Sequence, residues 1–148
     1  MGIDRDSPSV QAYLTMLQNV ITRMAGNSAS CKTWCVTLVA AIAALGVNAE
    51  EHRLVLLALL PILIFFLLDG YYLGLERDFR DKYNTFVDRI HQEEASENEL
   101  FQLKPPKGWW RRLGITARAV GSASILPFYG ILGAAVGVTY FISAARTA

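Results

Sequence analysis

The stretch LVLLALLPILIFFLL, residues 54–68, decides the fold of this chain because it presents no polar side chain on any face of a helix. A helix that is apolar all round suits a lipid environment or the centre of other apolar helices. A soluble globule of 148 residues would instead contain amphipathic helices, each with a polar face. We therefore interpret the chain as an all-α integral membrane protein.

Three long stretches are nearly free of charge. Residues 33–49 and 119–145 contain no Asp, Glu, Lys or Arg, and residues 54–75 contain only Asp69. A hydrocarbon core of about 30 Å needs roughly 17–25 helical residues. Each stretch is long enough, so the sequence predicts three transmembrane helices.

The distribution of Lys and Arg predicts the orientation of these spans. Twelve of the fourteen basic residues fall in three places. These are an N-terminal arm (residues 1–30), the first residues of a transmembrane hairpin (residues 31–75) and a linker (residues 76–118). The positive-inside rule then places arm and linker in the cytoplasm. The C-terminal region, residues 119–148, holds the third span and a short tail that is expected outside.

Two amphipathic helices are predicted on the cytoplasmic side. Val10, Tyr13 and Leu17 begin an apolar stripe with steps of three and four residues in the arm, and Phe79 and Phe86 belong to a similar stripe after the second span. The simplest arrangement continues the second span as one long helix into the cytoplasm. There it would pack against the arm or against symmetry-related copies in an oligomeric bundle.

Asp69 is the main candidate for a role inside the membrane. An ionisable side chain at span depth is costly and usually has a partner or faces a wet cavity. Lys32, at the start of the antiparallel first span, can reach it. The pair fixes helix register, or it belongs to the pore or gate of a water-filled pathway, to which Thr37 could add a polar group. A third alternative is that Asp69 snorkels at a helix end.

A basic run with two tryptophans precedes the third span. It contains Lys104, Lys107, Arg111, Arg112 and Arg118, with Trp109 and Trp110 among them. Tryptophan and basic side chains anchor helices at lipid headgroups, but arginines with aromatic rings also bind phosphate-bearing ligands. The residues that we predict for ligand binding are Arg77, Arg80, Lys82, Trp110, Arg111 and Arg112.

Small residues in the spans predict close helix packing. The third span contains Gly130, Gly133 and Gly137, the last two in a Gly-x-x-x-Gly spacing that allows backbones to approach. We expect a homo-oligomer, with a tetramer as the favoured state. Pro61 and Pro127 are expected to kink their helices.

No catalytic chemistry is indicated by the sequence. Cys31 and Cys35 lack the spacing of redox or zinc pairs, and His52 and His91 are isolated. There is no phosphate-binding glycine loop and no nucleophile with an evident base. We expect no metal, no cofactor and no enzymatic activity.

Several segments resemble a family of small bacterial membrane proteins encoded in anti-phage defence loci, in particular the membrane effectors of Hailong-type systems. They are ITRMAGNSASCKTW (residues 21–34) with VTLVAA (residues 36–41), PILIFFLLDGYYLGLERDFRDKY (residues 61–83) and SILPFYG (residues 124–130). The resemblance implies an oligomeric ion channel in the bacterial inner membrane, controlled by a nucleotide or oligonucleotide from a partner nucleotidyltransferase. The alternative is a non-conducting anchor or accessory subunit that scaffolds a partner protein.

Overall fold

The computed structural model describes residues 7–48, 52–102 and 108–147, and every regular element in those ranges is helical. The elements are α1 (Pro8–Asn48), α2 (His52–Val55), α3 (Leu59–His91), α4 (Trp109–Val120) and α5 (Leu126–Thr147), with 3-10 helices at Leu56–Ala58 and Glu97–Glu99. The predicted all-α class is confirmed.

Three helical segments are long and apolar enough to cross a membrane. They are Pro8–Val47, Arg53–His91 and Leu126–Ala145. Much of their apolar surface is uncovered in a single chain, as shown by Leu63, Ile131 and Phe141, which are 57%, 72% and 72% exposed. Such a surface is stable only against lipid or another apolar partner, which is compatible with a multi-pass membrane protein.

Helices α1 and α3 form one long antiparallel hairpin. At one end Gly46 packs against Val55, where an added Cβ would lie 2.8 Å from the valine Cγ2. Far from that turn, Tyr13 of α1 packs edge-on against Phe86 of α3, with ring centroids 4.9 Å apart. The predicted continuation of the second span as one helix, and its packing against the arm, are confirmed.

The contact between the arm and the end of α3 forms a separate apolar core. Its fully or nearly buried members are Val10, Tyr13, Leu17, Phe79, Phe86, Ile90 and Ala95. Burial raises the pKa of the Tyr13 hydroxyl above its usual value, and the nearby Glu99 carboxylate raises it further. The arm is therefore part of a packed structure within one chain.

The arm, residues 1–30, and the first span are predicted as two separate regions, but in the structure one uninterrupted helix, α1, runs through both. Residues 25–31, AGNSASC, contain no proline, and α1 runs through them without a break. A single glycine costs a helix only about 1 kcal/mol. Gly26 therefore does not end the helix.

The third span begins later than the predicted residue 119. Helix α4 ends at Val120, and a turn separates it from α5, which begins at Leu126. In this turn the Ser122 N–H donates to the Ala119 carbonyl. Serine and glycine in GSAS favour turns over helix interiors, and the remaining segment Leu126–Ala145 is still 20 residues long.

Pro61 and Pro127 lie near the starts of their helices, and the prediction that they kink these helices stays a prediction. Pro61 is the third residue of α3 and Pro127 the second residue of α5. In the first turn of a helix the missing N–H of proline has no partner to lose. The 3-10 segment Leu56–Ala58 precedes α3, and a turn at residues 121–125 precedes α5.

Candidate functional site

A polar cluster lies between the first two spans. Lys32 Nζ donates to Asp69 Oδ2 at 2.5 Å, and Ser28 Oγ donates to Asp69 Oδ1. The Asp69 side chain is 0% exposed and the Lys32 side chain 21% exposed. The predicted Lys32–Asp69 pair is confirmed, and the hydroxyl groups of Ser28 and Tyr129 are further hydrogen-bond partners of Asp69.

The antiparallel hairpin explains how the cluster forms. Ser28 and Lys32 are four residues apart, so they lie on one face of α1, and that face meets α3 at Asp69. The Lys32 Nζ is also 3.4 Å from Ser28 Oγ. We did not predict Ser28, although its spacing from Lys32 was a usable signal.

The cluster satisfies both carboxylate oxygens of Asp69 away from solvent. A buried carboxylate is stable only when its charge is paired and its oxygens accept hydrogen bonds. Because Asp69 is fully covered within one chain, its geometry matches a role in helix register. A role of Asp69 and Lys32 in a pore or gate stays a prediction.

Helix α5 is attached to the hairpin near this level. The Tyr129 hydroxyl donates to the Phe65 carbonyl at 3.2 Å, and the Tyr129 ring packs edge-on against Phe66 at 5.6 Å. Phe65 lies one turn before Asp69 on α3. The three spans therefore meet around one segment of α3.

Helix α4 packs against α3 directly after Asp69. An added Cβ at Gly70 would lie 2.5 Å from Val120 Cγ2, and one at Gly74 would lie 2.5 Å from Ile115 Cγ2. Since the later residue of α4 meets the earlier glycine of α3, the two helices are antiparallel. This Gly-x-x-x-Gly pair was missed in the sequence analysis, although its spacing is visible there.

The glycines predicted for helix packing are uncovered in a single chain. No heavy atom of the described residues lies within 4 Å of an added Cβ at Gly130, Gly133 or Gly137. They are therefore free to meet a helix of a second chain. Their predicted role in oligomer packing stays a prediction.

A cleft of about 500 Å³ lies between α3 and α4, and we call it the α3–α4 cleft. It is lined by Gly74, Arg77, Asp78, Asp81, Arg111, Gly114, Ile115 and Arg118. Arg111 Nη2 lies 3.4 Å from Asp78 Oδ1. Among the residues that the structure describes, no ion pair involves Arg77 or Arg118.

The structure separates the residues predicted for ligand binding. Arg77 and Arg111 line the α3–α4 cleft, whereas Arg80 Nη2 pairs with Glu76 Oε1 at 2.5 Å and is not in its lining. Lys82 Nζ lies 2.9 Å from Asp78 Oδ2 and 4.7 Å from the centre of the Phe79 ring.

Trp110 and Arg118 differ in where they lie relative to the α3–α4 cleft. Trp110 is 80% exposed, and the side chain of Arg112, like Lys104 and Lys107, lies outside the described parts. Arg118 was not among the predicted ligand-binding residues, yet it lines the cleft.

Helix α1 carries an exposed stripe of small and uncharged polar residues, which we call the α1 stripe. Its members follow one another at steps of three or four residues: Thr15, Asn19, Thr22, Gly26, Ser30, Thr33, Thr37, Ala40 and Ala44. Thr37 Oγ1 donates to the Thr33 carbonyl at 3.0 Å, and Ser30 Oγ donates to the Gly26 carbonyl at 2.9 Å. The helix thus satisfies these hydroxyl donors while the side chains stay exposed.

The described residues contain no group of three His, Cys, Asp or Glu side chains that could hold a metal ion. Cys31 and Cys35 are buried free thiols.

Comparison with protein-family models found no match, and comparisons with curated proteins and with solved structures found none either. The resemblance to defence effectors and the function that it implies therefore stay predictions.

Proposed function

We propose that the protein is an oligomeric membrane effector of a bacterial anti-phage defence system, which forms an ion-conducting pore controlled by a nucleotide or oligonucleotide. It acts in the bacterial inner membrane, as a tetramer, with its N-terminus and the linker in the cytoplasm. A partner nucleotidyltransferase supplies the ligand.

The α1 stripe is the observation that supports conduction. Within the first span it contributes Thr33 and Thr37, followed by Ala40 and Ala44, all of them exposed in a single chain. Hydroxyl groups can replace part of the hydration shell of an ion, while small side chains leave room for water. Several copies that turn this stripe toward a common axis would enclose an uncharged polar path.

The lipid-facing surface of such an assembly would come from the apolar residues of the other spans. Leu63, Ile131 and Phe141 are exposed in one chain, and they are stable against acyl chains. The polar cluster of Ser28, Lys32 and Asp69 would lie behind the pore wall. There it would hold α1 in register with α3.

Control by a ligand is supported by the continuity of α3. This helix carries Asp69 in its apolar part and Arg77 about two turns later, in the α3–α4 cleft. A rigid element shared by two sites is what coupling between them requires. A ligand would shift the open state only as far as its affinity differs between open and closed.

The second candidate, a non-conducting anchor, is favoured by the polar cluster itself. Lys32 pairs with Asp69 within one chain, and Asp69 is fully covered. A scaffold needs such a pair for helix register and needs no exposed charge in its spans. Conductance separates the two candidates.

Single-channel recording of the purified protein in planar bilayers tests the proposal. We expect unitary currents whose open fraction changes on addition of short single-stranded DNA or cyclic nucleotides. Thr37→Leu should lower the unitary conductance, because it replaces a hydroxyl of the α1 stripe by a larger apolar group. Thr37→Ser, which keeps the hydroxyl, is the matched control.

Two results would contradict the channel proposal. One is the absence of current with and without these ligands, together with an unchanged membrane potential in cells that overexpress the chain. The other is a current that Thr37→Leu and Thr37→Ser leave equally unaffected, since the α1 stripe would then not line the path. In the first case the anchor becomes the better account.

The orientation is tested separately by cysteine labelling in intact cells and in inverted vesicles. Cysteines introduced at Gly2 and Gln92 should react only from the cytoplasmic side, and one at Ala148 only from the outside. Labelling of Ala148→Cys from the cytoplasm would contradict the three-span topology.

A further inference from the structure

The α3–α4 cleft gathers more positive than negative charge. Arg77 comes from α3, and Arg111 and Arg118 come from α4, so arginines line the cleft from both helices. Asp78 and Asp81 also line it, but Lys82 Nζ lies 2.9 Å from Asp78 and neutralises it. Of the three arginines, only Arg111 has an acidic partner among the described residues, at 3.4 Å.

The lining of the cleft includes a glycine that helix packing does not require. Gly114 lies in the middle of α4, where glycine costs about 1 kcal/mol relative to alanine. Among the described residues, an added Cβ there would meet no atom within 4 Å, whereas one at Gly74 would lie 2.5 Å from Ile115 Cγ2. Gly114 therefore keeps open the space between the arginines.

The cleft lies at the depth of lipid headgroups if the apolar part of α3 crosses the membrane. Arg118 is located between Ile115, which packs on Gly74, and Val120, which packs on Gly70. It thus lies within a turn or two of Asp69 in depth, and a long arginine side chain at that depth extends toward the interface. Arg77, two residues beyond Leu75, lies at the interface itself.

We propose that the α3–α4 cleft binds one phosphate ester group, held between Arg77 of α3 and Arg118 of α4, with Arg111 at its outer end. Guanidinium groups donate paired hydrogen bonds to phosphate oxygens, and two arginines without an acidic partner are available for them. Arg80 and Lys82 take no part, because Glu76 and Asp78 hold them. The group belongs either to an anionic phospholipid or to a soluble phosphate ester, which bind by the same chemistry.

This inference deepens the proposed function, since a controlling nucleotide would use the same cleft, but it does not require conduction. A bound phosphate would join α3 to α4, and α4 leads through a short turn into the third span. A ligand in the cleft would thus change the packing of α4 against Gly70 and Gly74 of α3.

Two binding measurements on the full chain in nanodiscs distinguish the sources of phosphate. In nanodiscs of phosphatidylcholine, titration calorimetry with pyrophosphate, which offers the same anionic phosphoryl oxygens as a phosphate ester, tests a soluble ligand. In nanodiscs that also contain phosphatidic acid, native mass spectrometry counts retained anionic lipids. Binding of pyrophosphate assigns the cleft to a soluble ligand, retention of phosphatidic acid alone assigns it to lipid, and binding of neither overturns the proposal.

Single substitutions test whether the observed binding, of pyrophosphate or of lipid, takes place in the α3–α4 cleft. Arg77→Gln and Arg118→Gln should each weaken it about tenfold or more, because hydrogen bonds to charged groups are among the stronger ones. Gly114→Leu should weaken it similarly by filling the cleft without a clash within the chain. The matched control is Arg80→Gln, which removes an exposed charge from the same helix outside the cleft and should change affinity less than threefold.

The outcomes separate the site from the channel. If Arg80→Gln weakens binding as much as Arg77→Gln, the attraction is diffuse and the cleft proposal is wrong. If binding depends on Arg77 and Arg118 but no current is measured, the cleft stands and the channel proposal fails. If currents respond to nucleotides while Arg77→Gln and Arg118→Gln leave binding unchanged, the channel proposal stands and the cleft proposal fails. Helical circular dichroism of each variant shows that it is folded.

Discussion

Two glycine pairs with the same spacing have different environments in this molecule. Gly70 and Gly74 on α3 are covered by α4 so closely that an added Cβ would lie 2.5 Å from a side chain. At Gly133 and Gly137 on α5, no heavy atom of the described residues lies within 4 Å of that position. The Gly-x-x-x-Gly spacing therefore marks a face that a helix can approach. It does not say whether that helix belongs to the same chain.

The covered face of α3 also carries the ion pair, and we expect the largest effect there. Lys32→Met should lower the stability of the fold by about 2–3 kcal/mol, because it leaves the fully covered Asp69 carboxylate with the neutral hydroxyl groups of Ser28 and Tyr129 as partners. Water recruited from the nearby interface keeps the loss below that of a deep soluble core. The midpoint of unfolding by sodium dodecyl sulfate in mixed micelles measures it.

The double variant is the control for this prediction. Lys32→Met with Asp69→Leu removes both charges, so its stability should be closer to that of the unchanged chain than the sum of the two single effects. Single effects that simply add would show that the pair contributes no coupling. The contact seen at 2.5 Å would then be energetically unimportant.

The second prediction concerns the covered glycines. Gly74→Leu should destabilise the chain by about 1–3 kcal/mol, because its side chain would force α4 away from α3. The close approach includes the Ile115 carbonyl at 3.2 Å, which no rotamer change can relieve. The unfolding midpoint should fall, whereas Gly133→Leu, measured at a protein concentration low enough to give monomers, should leave it nearly unchanged.

The sequence was sufficient for features that depend on pattern along one helix. The uncharged stretches predicted three helices able to cross a membrane, and the stripe that includes Tyr13 and Phe86 predicted the packing of the arm on α3. The antiparallel hairpin then brought Lys32 to Asp69, as their positions at the span boundary had suggested. These features follow from the periodicity of apolar residues along a helix and from the free-energy cost of placing an ionisable side chain inside a membrane.

Features that depend on which helices pack against one another could not be predicted from the pattern along a single helix. Gly70 and Gly74 have the same spacing as the glycines of α5, and only the position of α4 shows that they are the covered pair. Arg80 and Arg77 are three residues apart, yet Glu76 pairs with Arg80 and leaves Arg77 facing the cleft. Such differences arise from tertiary contacts, which composition and spacing do not encode.

The uncovered pair supplies the third prediction, which concerns assembly. Gly133→Leu or Gly137→Leu should weaken the homo-oligomer by at least tenfold in its dissociation constant, because close backbone approach between copies is lost. Light scattering in detergent over a range of protein concentrations measures the shift. A monomeric mass for the unchanged chain at micromolar concentration, or an unchanged mass for both variants, would contradict this role.

The smallest effect is expected at Gly114, where the cost of glycine is offset by no packing contact within the chain. Gly114→Ala should stabilise the fold by about 0.5–1 kcal/mol, since alanine loses less backbone entropy in the middle of α4 and its Cβ meets no atom within 4 Å in the part of the chain that the structure describes. The sign is opposite to that expected at Gly74, so the unfolding midpoint should rise. A fall of similar size would mean that a neighbouring copy packs against Gly114 in the assembly. The cleft lined by this residue would then be occupied by protein and not by a phosphate ester.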